Sequence, residues 1–318
     1  MPDKTHYDLI VLGAGPAGMT AVVYAARKQI DTLIISDDIG GQTLWSAGIE
    51  NYLGFMFITG PELVRKFEEH VRAFDVPQEY TRVSNLTRDG DKFKILTDDG
   101  RIFTARAVIV ATGKSPKMLG VPGEKELIGR GVAYCATCDA PLFAGHDVAV
   151  VGGGNSGLDA VIQLMGLCPK VYLIERSPTL RADAVVVKKA EAAENVEILT
   201  NTSVKEIVGA DFVEGIKIED VNGGEVRQLD VKGVFIEIGL SPNTGFLDEL
   251  LRLNPEREIP VDCAARTGVP GLYAAGDVTD VPEKQIIIAA GDGAKAALGA
   301  YAYLLRLPIV EDWGPMLS

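Results

Sequence analysis

The chain is short of the residues that would tie it to a metal, an oxidising compartment, a polyanion or a bilayer. Only four cysteines occur in 318 residues, and two of them, Cys168 and Cys263, have no close sequence partner. That count does not make the disulfide framework of a small secreted domain. The histidines His6, His70 and His146 show no ligand spacing, so a four-ligand structural zinc site is not expected. Positive charge is in deficit: 31 Lys and Arg face 44 Asp and Glu, a net charge of −13, which argues against nucleic acid or an anionic membrane as partner. No apolar run nears the ~20 residues of a membrane span. Met1 to His6 holds no signal-peptide core, and strand-like sequence begins at Tyr7, so the cytoplasm is expected.

What is present is a repeat. Hydrophobic content of 47% in a chain of this length supports a large core split into about two domains. Tyr7–Leu12 reads as a buried strand, followed by Gly13-Ala14-Gly15-Pro16-Ala17-Gly18, an Ala-rich helix to about Arg27, and a strand Thr32–Ile35 ending at Ser36-Asp37-Asp38. The order recurs. Asp147–Val151 is a strand, then come Gly152-Gly153-Gly154-Asn155-Ser156-Gly157, a helix to about Gly166, and a strand Val171–Ile174 ending at Glu175. This is the βαβ nucleotide unit written twice.

Other elements fit around the two units. A helix is expected from Pro61 to about Phe74, strands over Phe93–Thr97, Arg101–Thr104 and Ala107–Val110, and a long helix from about Lys284 to Arg306. Val108–Gly113 and Val234–Gly239 read as matching buried strands that end in tight turns, and Gly271–Asp277 as a further strand end. A short helix is expected after Thr244. The fold class is therefore α/β, with two Rossmann-like three-layer nucleotide-binding domains, the first interrupted by the second. The expected segments are 1–116 and 243–307 for the first domain, 117–242 for the second, and 308–318 for a tail. The crossings near 113–116 and 239–243 carry Gly and Pro, as a hinge would.

A single glycine fingerprint is weak evidence, since glycines also mark ordinary turns. Here both lie between a strand and a helix, where a tight turn and oriented N–H groups can receive a pyrophosphate. A carboxylate at the end of the second strand accepts from a ribose diol, which makes Asp37 or Asp38 the candidate in one unit and Glu175 in the other. Glu175 also reads as a solvated strand end, with Arg176 and Arg181 as surface charges.

Between the fingerprints stands Cys135-Ala136-Thr137-Cys138, followed by Asp139. Thiols three positions apart can close into a disulfide and reopen, which stores two electrons and lets the second sulfur resolve a mixed disulfide formed by the first. The alternative is two packed thiols, with Asp139 a turn or cap residue.

With these motifs in this order, the chain resembles the low-molecular-weight thioredoxin reductases over nearly its whole length. The resemblance rests on Gly13–Gly18, Gly40-Gly41-Gln42, Ala111-Thr112-Gly113, Cys135–Asp139, Gly152–Gly157, and Gly276-Asp277 with Gln285-Ile286-Ile287. The second half is also similar to the flavoprotein component of alkyl hydroperoxide reductase. The resemblance implies FAD held by Gly13, Gly15, Pro16, Ala17 and Gly18, with Asp37, Gly41, Gln42, Asn51, Ala111, Thr112, Gly113, Gly276 and Asp277 around it and Gln285 and Ile286 near its ring. It implies a nucleotide donor site at Gly152, Gly154, Asn155, Gly157, Glu175, Arg176 and Arg181. It further implies a homodimer, a thioredoxin-like partner attacked by Cys135, Cys138 nearer the flavin, and Asp139 as acid/base.

Two departures bear on the donor. NADPH-using members carry His-Arg-Arg after the second nucleotide strand, where this chain has Glu175-Arg176-Ser177, and Gly157 is commonly alanine in them. The choice between NADH and NADPH stays open, as does a ferredoxin donor. The other readings are a ferredoxin–NADP reductase-like flavoprotein, which would lack the dithiol, and a non-enzymatic flavin redox sensor. Trp313 is a candidate cap on the flavin face; a chance tail residue is the alternative.

Overall fold

Aliphatic strands with no alternation require a sheet covered on both faces. His6–Leu12 and Thr32–Ser36 meet that requirement by sending alternate residues to opposite sides. Leu9, Val11 and Ile34 join one core cluster with the helices Pro16–Arg27 and Ile286–Leu304, whereas Ile10, Leu12, Leu33 and Ile35 join another with Phe93, Ile95 and Phe103. Each fully buried aliphatic or aromatic side chain contributes roughly 1.5–3 kcal/mol, so both faces are strongly specified.

The computed structural model describes residues 4–247 and 250–306, and Trp313 lies outside them. The chain divides into two units. In the first, the parallel strands Gln78–Tyr80, Thr32–Ser36, His6–Leu12 and Ile102–Val110 lie in that order, and Leu272–Ala274 pairs with the end of the last. The antiparallel strands Lys92–Thr97 and Val83–Asp89 extend the sheet from the start of Ile102–Val110. The two short strands expected over 101–110 are thus one. The apparent break at Arg106 is an outward-facing residue whose guanidinium pairs with Asp8 at 3.0 Å.

The second unit repeats the design. Val196–Leu199, Val171–Ile174, Val148–Val151, Gly233–Ile236 and Val132–Ala133 form a parallel sheet in that order. The helix Asn155–Leu164 covers one face, and an antiparallel sheet of Thr202–Val208, Gly215–Asp220 and Arg227–Leu229 lies beside the other through Ile207, Ile216 and Ile218.

Residues 45–60 group with this second unit, whereas the sequence pattern places them with the first. The reason is local packing. The Trp45 and Tyr134 rings lie 6.0 Å apart, and Gly48 has no room for a Cβ against Phe57 and Leu142. After Thr244 the described residues form turns rather than the expected helix. No helix among the described residues is long and apolar enough to cross a membrane.

Candidate functional site

The two fingerprints fold alike. Gly13 has φ +104°, and a Cβ there would lie 2.4 Å from the Ala111 carbonyl oxygen. Gly152 has φ +124°, and its Cβ would lie 2.4 Å from the Glu237 carbonyl oxygen. Only glycine satisfies both conditions. A Cβ on Gly18 or Gly157 would stand 1.8 Å from the carbonyl oxygen of Gly13 or Gly152. The alanine common at position 157 in the resembling family would therefore require that carbonyl to move.

The middle glycines differ. Gly15 and Gly154 cap their helices with φ of −76° and −90°, and a Cβ on either meets nothing within 4 Å. Neither strain nor packing demands glycine at these positions. The open space before a helix N-terminus is what a pyrophosphate needs. Gly15→Val should therefore cost the apoprotein only about 1 kcal/mol yet leave it nearly flavin-free. The check is the ratio of flavin to protein absorbance beside the thermal midpoint. A variant with stoichiometric flavin would remove the cradle from this site.

A polar side chain at the end of each second strand reaches back to its fingerprint. In the first unit it is Ser36, whose Oγ accepts from the Ala14 N–H at 3.1 Å. Asp37 instead accepts from Arg82 at 2.6 and 2.9 Å, and Asp38 accepts from the Gly41 N–H. In the second unit it is Glu175, which accepts from Gly153 N–H at 2.6 Å and Ser177 N–H at 2.7 Å. Glu175 is only 4% exposed, so it is no solvated strand end. Burial pushes its carboxyl up, but the hydrogen bonds from Ser177 and Gly153 and the charge of Arg181 outweigh that, and it lies below its ordinary value.

Gly152, Gly154, Asn155, Glu175, Arg176 and Arg181 all line one cavity of about 630 Å³. Gly157 stands behind it, against the Gly152 carbonyl. Asn155 Oδ1 accepts from the Asp183 N–H at 2.9 Å.

Cys135 and Cys138 are joined as a disulfide, with their Cα atoms 5.3 Å apart. Both are half-buried, and Cys135 precedes a single helical turn, Ala136–Asp139. The Cys138 N–H points at Cys135 Sγ, 3.2 Å away. The flanking residues are tethered by carboxylates that sequence reading missed. Tyr134 donates to Glu124 at 2.9 Å, and the Ala136 N–H donates to Glu237 at 3.3 Å. A Glu inside the apolar run Val234–Ile238 is the one sequence signal for Glu237. The remaining thiols are separate: Cys168 is buried, with its thiol pushed by burial up to about 11, and Cys263 is exposed.

Asp139 is buried, and its Oδ1 has no hydrogen-bond partner. It heads the short turn Ala140–Phe143, but its side chain makes no capping hydrogen bond. Burial pushes its carboxyl up to about 7. Such a group can hold or release a proton beside the dithiol at neutral pH.

The description "Pyridine nucleotide-disulphide oxidoreductase" matches residues 7–293. The chain belongs to this family. Its fold is similar to that of the thioredoxin reductase from Streptococcus pyogenes, with a TM-score of 0.90 and 40% identity over 96% of this chain and 100% of that one. It is 43% identical over 305 residues to the F component of the alkyl hydroperoxide reductase of Staphylococcus aureus, and 44% identical over 306 residues to a protein named NADH dehydrogenase from Ferdinandcohnia aciditolerans. Each alignment takes in 96% of this chain, which spans about 60% of the length of those curated relatives. The resemblance read from the motifs holds: the chain is a thioredoxin reductase-like member of the pyridine nucleotide-disulphide oxidoreductases, an enzyme family that uses FAD and a pyridine nucleotide.

The first unit of this oxidoreductase fits FAD beyond the glycine cradle. Gly41 lies over Gly15, its Cβ position 3.9 Å from the Gly15 Cα, and Gln42 Nε2 donates to the Lys114 carbonyl at 2.9 Å. Ala111-Thr112-Gly113 is clamped by Asn243, which donates to the Thr112 carbonyl at 2.8 Å and accepts from Thr112 Oγ1 at 2.8 Å. Gly276, at φ +75°, turns the chain into Asp277, and Gln285 caps the helix that starts at Ile286. Burial pushes the Asp277 carboxyl up, against the pull of Lys284 and Lys114. Both lysines pair with Glu258, at 2.5 Å from Lys114 and 3.5 Å from Lys284. That ion cluster joins residues more than a hundred positions apart, and no sequence motif announces it. Asn51 lies exposed in the 45–60 segment of the second unit.

The raised Asp139 carboxyl should make stability depend on pH. In the unfolded chain it ionises near pH 4, and in the folded chain at about 7. Between those values the folded state keeps a proton that the unfolded state has lost, so stability falls as pH rises through the window and levels off above it. Asp139→Asn removes that loss, and the expected gain is on the order of 3–4 kcal/mol at pH 8 and close to nothing at pH 4. Denaturant unfolding of the oxidised protein at the two pH values measures it. Equal gains at both would mean the carboxyl titrates normally.

Proposed function

We propose that this chain is an FAD-dependent reductase of a thioredoxin-type disulfide, taking two electrons from NADH in preference to NADPH. The observation that carries the reading is the closed Cys135–Cys138 disulfide next to the buried Asp139, whose Oδ1 has no hydrogen-bond partner. When bound, FAD supplies the two-electron carrier between donor and dithiol; Gly13 to Gly18, Gln42, Asp277 and the turn at Gln285-Ile286 are the residues that would hold it.

The chain's own chemistry begins at the reduced dithiol. Cys135, as thiolate, attacks one sulfur of the partner's disulfide, and the other partner sulfur leaves. Cys138 then attacks Cys135 Sγ in the mixed disulfide, which releases the second partner thiol and restores the Cys135–Cys138 bond. Asp139 exchanges the proton that Cys138 must lose. The Cys138 N–H aimed at Cys135 Sγ supports Cys135 as the attacking thiolate, because an amide donor stabilises the anion there. A homodimer and a cytoplasmic setting are part of the reading.

The protein named NADH dehydrogenase supports NADH as donor. The similarity to alkyl hydroperoxide reductase supports a second acceptor, the disulfide of a peroxidase component. Steady-state NADH oxidation with oxidised thioredoxin, and separately with an oxidised two-cysteine peroxidase, tests both. Turnover with neither acceptor would end the reductase reading as stated.

A further inference from the structure

Glu237 does two things that no other side chain of the second unit combines among the described residues. It lines the nucleotide cavity, and it accepts the Ala136 N–H at 3.3 Å, the first amide of the turn that carries both cysteines. Its backbone also closes the fingerprint, since the Gly152 position leaves no room for a Cβ against the Glu237 carbonyl. The residue directly before Ala136 is Cys135.

Reduction of the pair takes two electrons, breaks the Sγ–Sγ bond, and adds one proton where Cys135 stays a thiolate or two where both sulfurs are protonated. A carboxylate hydrogen-bonded at the next residue opposes the thiolate form, and a neutral carboxyl does not. On the reading of Cys135–Cys138 as the redox pair, we propose that Glu237 is a positioning residue that sets the reducing strength of the dithiol, its negative charge making the pair a stronger reductant. Its proton exchanges through the cavity that it lines.

The electrostatic surroundings are consistent with this role. Burial pushes the Glu237 carboxyl up to about 7, and Asp159 on the helix Asn155–Leu164 adds to the effect, against the pull of the Ala136 N–H. The other titratable groups near it are Asp139 on the dithiol turn and Glu175, Arg176 and Arg181 on the cavity walls. The charge at Glu237 therefore changes across the neutral range.

The test is the equilibrium of the full-length flavoprotein with dithiothreitol redox buffers, read by alkylation of free thiols and intact mass. Glu237→Gln keeps the acceptor for the Ala136 N–H and the shape of the cavity, so a purely structural role would leave the equilibrium unmoved. The expected result is a shift toward the dithiol of roughly tenfold at pH 8.5, about 30 mV for a two-electron couple, closing by pH 6. The same comparison in an Asp139→Asn background should give the same gap, which separates the two carboxyls. Flavin content and circular dichroism certify the fold, and Glu237→Ala, which lacks the acceptor, should match the Gln variant in direction. No gap at pH 8.5, or an equal gap at both pH values, would overturn the inference. Because this readout needs neither donor nor partner protein, failure of thioredoxin turnover with the gap intact would count against the proposed function alone.

Discussion

Cys135→Ser will lose reduction of the partner disulfide, on the order of a thousandfold or more, while keeping bound flavin that the electron donor still bleaches. Cys138→Ser will instead accumulate a covalent complex with the partner through Cys135. The asymmetry follows from the site. Cys135 Sγ receives the Cys138 N–H at 3.2 Å, and its neighbours Tyr134 and Ala136 are held by Glu124 and Glu237. An attacking thiolate so held keeps its place when the bond to Cys138 opens. A resolving thiol needs a neighbouring base instead, and Asp139 directly follows Cys138. Non-reducing electrophoresis and intact mass identify the trapped complex. The cysteine assignment fails if either serine variant turns over thioredoxin at the wild-type rate. It is reversed if the covalent complex forms in Cys135→Ser and not in Cys138→Ser.

Much of the fold could be read from the sequence because each nucleotide unit states its own geometry locally. An aliphatic run, three glycines and an Ala-rich helix fix a strand, a turn and a helix within some twenty residues. The Gly13 and Gly152 positions show the reason: both need a positive φ and a close carbonyl approach that one residue type allows. What the sequence hid was long-range. Nothing near Trp45 announces that its ring meets Tyr134, so the sequence pattern groups 45–60 with the first unit while the folded segment packs in the second. The single strand Ile102–Val110 reads as two in the sequence, because an exposed charge at Arg106 in an apolar run resembles a strand end.

The same distinction governs the candidate site. Residues inside motifs are legible in the sequence, and Gly152, Gly154, Asn155, Glu175, Arg176 and Arg181 line one cavity. Residues acting through one side chain across the fold are not. Ser36 holds the first fingerprint through the Ala14 N–H, while Asp37 faces Arg82. Glu124, Glu237 and the Lys114–Glu258–Lys284 cluster each depend on a pairing that only the folded chain displays.

The proposed preference for NADH would rest on Glu175. Its carboxylate is fixed by two backbone N–H groups, lines the cavity, and lies below its ordinary pKa, so it is charged at neutral pH. A 2′-hydroxyl can donate to it, whereas a 2′-phosphate meets like charge in a partly desolvated wall. NADH should therefore exceed NADPH in kcat/KM by roughly a hundredfold, the effect of about 2.7 kcal/mol. Ser177→Arg adds a guanidinium while leaving Glu175 and its hydrogen bonds in place, and should raise kcat/KM for NADPH about tenfold. Glu175→His with Ser177→Arg should move the preference further, at a cost. The Gly153 and Ser177 N–H groups lose their carboxylate acceptor, which removes about 1–3 kcal/mol each. The double variant should accordingly melt earlier than the single one. Anaerobic mixing with each nucleotide, followed by flavin bleaching, measures the preference directly. A wild-type enzyme that favours NADPH would refute the role given to Glu175. Failure of both nucleotides to bleach the flavin would transfer the donor role to a protein such as ferredoxin.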